Sequence, residues 1–283
     1  MCYILIQVSL LIIFRGVSYT FLPVIYLASA SLILLMGIIK PSQKPSVFHF
    51  IKYTIPLVLI YLFYRLIDVQ INLLNFSSHD ALFYNLEYNV LGMYPSFTLQ
   101  RITEIWLNEV SYASYFAGIL LFIYAFYLFY RKAYIRVFEN FIFAIVLGSL
   151  ICLTVISTFP VMGPGKALEE IYYLNLYGPR FSIIIPFLFK LFTPSIGSFP
   201  SIYFCILTIS SYYLWDYGKT YIILSFVVLT VVFWGGIYLR YHYLLDAIAS
   251  LLVAFLASTI ASFAYYLRYG RDLDEAHSGS AKS

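Results

Sequence analysis

The sequence predicts an all-α fold, a polytopic membrane helix bundle, and three observations carry that prediction. Hydrophobic residues make up 62% of the 283 positions and charged ones only 11%, where a soluble domain carries about 25% charged residues. Apolar runs near the roughly 20 residues needed to cross a hydrocarbon core recur along the chain. The connections between them hold most of the Lys and Arg. A net charge of +4 with no basic stripe argues against nucleic acid as a partner.

Taken in order, Met1–Phe14 is apolar without a basic leader and is followed at once by Gly16 and a second apolar run. It reads as a short first span or a membrane-lying segment, not a cleaved signal. Spans are expected at 17–39, 50–70, 111–130, 138–159, 200–215, 220–239 and 244–267. The run 181–192 is shorter and interrupted by Pro186 and Lys190, which suggests an interfacial or re-entrant helix. The stretch 74–110 is mixed, with FSSHD, a YPSF turn and an amphipathic LQRITEIWLNEV. The chain therefore divides into N-terminal membrane helices (1–49), a membrane domain (50–267) and a polar cytoplasmic tail (268–283) expected to be disordered. Cys2, Cys152 and Cys205 are scattered, form no CxxC pattern, and read as core hydrophobes rather than metal ligands or a disulfide framework.

Alternating spans put Lys40, Lys44, Arg131, Lys132, Arg136, Lys219, Arg268, Arg271 and Lys282 on one face, which should be cytoplasmic. Three polar clusters fall on the other face. The first is PVMGPGK, Pro160 to Lys166, with Arg180 further on in YGPRF. The second is GSFPSIYF, Gly197 to Phe204, in which Ser201 opens a helix whose N-terminus attracts anions. The third is YLRYHYLLD, Tyr238 to Asp246. Here His242 and Asp246 are four apart and share a helix face, so the carboxylate can orient the imidazole and leave its other nitrogen as a nucleophile or base. Arg240 is placed to meet an anion. Ionisable groups at membrane depth are by default functional candidates.

Together, FPVMGP (159–164), GSFPS (197–201) and YLRYHYLLD (238–246) resemble the type 2 phosphatidic acid phosphatase superfamily, and most closely the branch of inositol phosphorylceramide synthases and their bacterial relatives. The resemblance covers 50–267. It implies a core of about six membrane helices and a metal-independent phosphatase or phosphotransferase acting on a lipid phosphate or pyrophosphate, with no cofactor. On this resemblance His242 forms a phosphohistidine, Asp246 orients it, and Ser201 holds phosphate oxygens. Arg240, Lys166 and Arg180 would neutralise charge.

The chain departs from the superfamily pattern at three positions. Tyr203 stands where the family has the histidine that protonates the leaving group; Gly236 stands where it has an arginine; and Tyr173 stands seven after Lys166, where an arginine belongs. Tyr203 leaves several readings open: a slow general acid, a leaving group that needs none, donation by His79, or a degenerate protein that binds a lipid phosphate without turnover. A transporter is the remaining class, disfavoured because no internal repeat is evident.

Overall fold

In a computed structural model, residues 47–74, 77–131, 135–194 and 196–280 are described. The apolar segment 1–14 and the expected span at 17–39 lie outside them. All regular structure among the described residues is helical: α1 (Val47–Leu74), α2 (Asp80–Leu91), α3 (Ile105–Arg131), α4 (Ile135–Thr158), α5 (Phe181–Phe192), α6 (Ile202–Trp215), α7 (Lys219–Tyr238) and α8 (Leu244–Ser280), with short turns between them. Among the described residues, five helices carry apolar stretches long enough to cross a membrane: Phe50–Asn72, Ile105–Arg131, Val137–Thr158, Lys219–Tyr238 and Leu244–Leu267. The protein is an all-α, multi-pass membrane helix bundle.

Helix α1 contains Pro56 in its interior, a residue that membrane helices tolerate. Helix α3 begins earlier than the apolar run from 111 because polar Asn108 and Glu109 find partners across the chain. Asn108 Nδ2 donates to the Tyr177 carbonyl at 2.7 Å, and its Oδ1 accepts from the Tyr238 hydroxyl at 2.6 Å. Glu109 accepts the backbone N–H groups of Arg180, Phe181 and Ser182 at 2.8–3.2 Å. A carboxylate on these first-turn amides is the favourable arrangement for a helix start, and it fixes α5 against α3.

Helix α6 is the shortest of the central helices at 14 residues, about 21 Å at 1.5 Å per residue. Its N-cap residue, Ser201, is buried in the bundle. The helix packs against α3, α4, α7 and α8, while α1 lies on α4 and α3 lies along α7. The resulting core includes Phe129, Phe141, Ile145, Leu153 and Ile209. Cys152 and Cys205 are fully buried within it. Beyond the apolar run, α8 continues to Ser280. That stretch has no proline and mixes opposite charges, so a helix already nucleated in the bundle can propagate through it.

Candidate functional site

The three polar clusters converge at one end of the bundle through backbone contacts between loops. Gly197 and Ser198 N–H both donate to the Val161 carbonyl at 3.0 Å, and Gly165 N–H donates to the Arg240 carbonyl at 2.7 Å. The approach is close enough to require glycine. Gly163 has φ 95°, and a Cβ there would lie 2.5 Å from the Tyr241 carbonyl oxygen. Arg240 itself sits at φ 64°, a left-handed conformation uncommon for a residue with a Cβ.

A chain of side chains runs through this junction. His242 Nδ1 lies 3.3 Å from Asp246 Oδ2, and Nε2 lies 3.3 Å from Ser201 Oγ. Asp246 is fully buried, and its Oδ2 also accepts from the Ser198 hydroxyl and from Tyr243 N–H at 2.9 Å. A carboxylate can only accept, so Nδ1 carries the proton and Nε2 presents its lone pair towards Ser201. Ser201 is the N-cap of α6, accepting Phe204 N–H at 3.3 Å, and its own N–H donates to Ser250 Oγ at 2.9 Å. The first turn of α6 is thus aimed at the imidazole.

His242 and Ser201 lie on the wall of a 910 Å³ cavity. Lys166, Lys190, Arg240, Tyr203 and Ser198 also line it, and most of the remaining lining is apolar, including Leu57 and Ile60 of α1, Ile119 and Phe122 of α3, and Phe189 of α5. Most of the residues singled out from the sequence therefore meet here. Arg180 does not line the cavity; it is exposed at the N-cap of α5. His79 stacks on Phe159, with ring centroids 3.9 Å apart, and is likewise absent from the lining.

Tyr203 and Arg240 are both engaged by groups outside the Ser201–His242–Asp246 chain. The Tyr203 hydroxyl donates to the Tyr115 carbonyl at 2.5 Å, and its ring stacks on Tyr115 at 5.1 Å. Gly118 makes the room, since a Cβ there would lie 2.1 Å from that hydroxyl. The Arg240 guanidinium donates to Gln100 Oε1 at 3.2 Å and to the Leu174 carbonyl at 2.8 Å, and it covers the Tyr172 ring at 4.1 Å. Burial pulls its pKa down, with the phenols of Tyr172, Tyr112 and Tyr238 opposing. Arg240 thus ties the 172–176 loop to the site while still lining the cavity.

Helix α2 holds the junction from outside, a role the sequence did not reveal. Its buried residues are Asp80, Phe83 and Glu87. Asp80 accepts Met162 N–H at 2.8 Å, Gly163 N–H at 2.9 Å and the Tyr243 hydroxyl at 3.0 Å, as well as the Ser78 hydroxyl. Glu87 accepts Leu244 N–H at the start of α8. The available signal was spacing: two acids share the helix face of an aromatic, where a solvated face would be expected.

No protein-family model, curated protein or solved structure matches this chain.

Proposed function

We propose that this membrane protein is a metal-independent lipid phosphatase or phosphotransferase of the type 2 phosphatidic acid phosphatase kind, working through a phosphohistidine. The observation that carries the reading is the Ser201–His242–Asp246 chain, whose Ser201 and His242 lie on the wall of a largely apolar cavity. The lipid chain occupies the apolar part and the phosphate meets His242. Nε2 attacks phosphorus, the bond from phosphorus to the leaving oxygen breaks, and the imidazolium formed is stabilised by Asp246. Ser201 donates to a phosphoryl oxygen, and Lys166 and Arg240 offset the charge spreading over the others. Water or an acceptor hydroxyl then attacks the phosphohistidine, returning His242. The distribution of Lys and Arg supports a site on the non-cytoplasmic side.

The engaged Tyr203 hydroxyl favours a substrate whose leaving group departs without a proton, such as a lipid pyrophosphate over a monoester. The test is phosphate release without metal, from a polyprenyl pyrophosphate and from phosphatidic acid. The pyrophosphate is expected to react faster. Tyr203→His is expected to raise monoester turnover by about 10²-fold, the lower end of what a general acid contributes, and to change the pyrophosphate rate little. No gain on the monoester would remove the missing acid as the explanation.

The same engagement supports a second reading, a protein that binds a lipid phosphate without turning it over. In that case phospholipid co-purifies with the protein and is lost in Ser201→Ala, while phosphate release stays at background.

A further inference from the structure

Helix α2 has only 12 residues, yet two carboxylates on its buried face reach two of the three polar clusters that build the site. Glu87 is 5% exposed. Its Oε1 accepts Leu244 N–H, the first amide of α8. Two residues further along α8 is Asp246, and two residues before Leu244 is His242. Glu87 therefore caps the helix that carries the orienting carboxylate, at the turn that carries the imidazole. A capping carboxylate satisfies orphan amides and complements the helix dipole. Protonating it removes the charge and weakens that grip.

We propose that Glu87 is a positioning residue whose ionisation seats the N-terminus of α8 and thereby makes the alignment of His242 with Asp246 depend on pH. The proposal rests on the reading of His242 as the reacting group. It goes beyond that reading in assigning the switch to a residue outside the cavity lining.

The surroundings put this ionisation in the neutral range. Burial pushes the Glu87 carboxyl up to about 7, the Leu244 and Leu245 amides partly oppose the rise, and the charge of Asp246 adds to it. The other titratable and charged groups nearby are His242, bonded to Asp246; Tyr172 and, over its ring, Arg240; and Asp80 with Tyr243. The sign follows from linkage. The native state holds a proton on Glu87 at pH values where the unfolded chain has lost it, so Glu87 favours folding below its unfolded pKa and loses that contribution as pH rises through about 7. Alignment moves the other way, improving as the carboxylate ionises. Stability and site geometry therefore respond to pH in opposite directions, which an inert cap would not produce.

The experiment compares wild type with Glu87→Gln in detergent, with three measurements across pH 5.5–8.5. Thermal midpoints are expected to fall with rising pH more steeply in wild type than in the variant. Carbethoxylation of His242 by diethyl pyrocarbonate, read by peptide mass spectrometry, is expected to show a step near pH 7 in wild type that the variant lacks. Phosphate release from a polyprenyl pyrophosphate is expected to lose part of its acid limb in the variant and to drop about threefold to tenfold at pH 8, the scale of one net hydrogen-bond contribution. Coincident carbethoxylation profiles overturn the proposal, whether or not phosphate is released. Differing profiles with no phosphate release sustain Glu87 as the switch and overturn the reaction instead. If Glu87→Gln does not fold, Glu87→Asp, one methylene shorter, serves in its place. Its pH step is expected to move by about half a unit or more, because burial and amide contacts set the ionisation, and an unmoved step overturns the proposal.

Discussion

His242→Ala is expected to abolish metal-free phosphate release from a lipid pyrophosphate, with a loss of about 10⁴–10⁶-fold, the scale seen when a covalent nucleophile is removed. The geometry explains why no neighbour should rescue it. Nε2 is 3.3 Å from Ser201 Oγ at the cavity wall, and Nδ1 is committed to Asp246. His79, the other histidine on this side of the bundle, is stacked on Phe159 and does not line the cavity. Asp246→Asn should cost about 10²–10⁴-fold, because an amide can present N–H to Nδ1 and favour the wrong tautomer. Wild type stopped in acid should yield little phosphoprotein, since a phosphohistidine is acid-labile, whereas stopping in base should retain the label on the His242 peptide. Equal, slow release by wild type and His242→Ala would remove the catalytic assignment and leave the binding reading.

How much was legible in the sequence depended on whether the cause was local. The bundle was legible because hydropathy over 20 residues is a local property, and the five long apolar helices fall where the composition runs fall. Helix α6 was legible as 200–215, and its N-cap at Ser201 follows from the local preference of serine for such positions. The four-residue spacing of His242 and Asp246 likewise encodes their contact. Commitments made over long sequence separations were not legible. Arg240 is held by Gln100 and Leu174, 140 and 66 residues away. Tyr203 donates to a carbonyl 88 residues earlier. Helix α3 runs into 105–110, past the hydrophobic boundary, because the partners of Asn108 lie at Tyr177 and Tyr238.

Asp80 is where that distant organisation should be most sensitive. Its carboxylate is 6% exposed and accepts two backbone amides of the 160–165 loop and the hydroxyl of Tyr243, which neighbours His242. Asp80→Ala leaves buried donors without an acceptor, each costing about 1–3 kcal/mol, so a loss of about 3–5 kcal/mol is expected, in line with breaking a buried charged network. The loop cannot easily relax to compensate, because Gly163 is already 2.5 Å, by its missing Cβ, from the Tyr241 carbonyl. Displacing that loop also displaces Lys166 and the backbone around Arg240, so activity should fall by about 10²-fold in whatever protein remains folded, the scale of a 1 Å misplacement. Asp80→Asn is the sharper test. Met162 and Gly163 both point N–H groups at separate oxygens of the carboxylate. An amide offers one oxygen and an NH₂, so one donor is left facing another. A substitution that is ordinarily mild should therefore behave nearly as badly as alanine, both in thermal midpoint and in phosphate release. An Asp80→Asn protein with wild-type stability and turnover would show that α2 merely rests on the site and does not hold it.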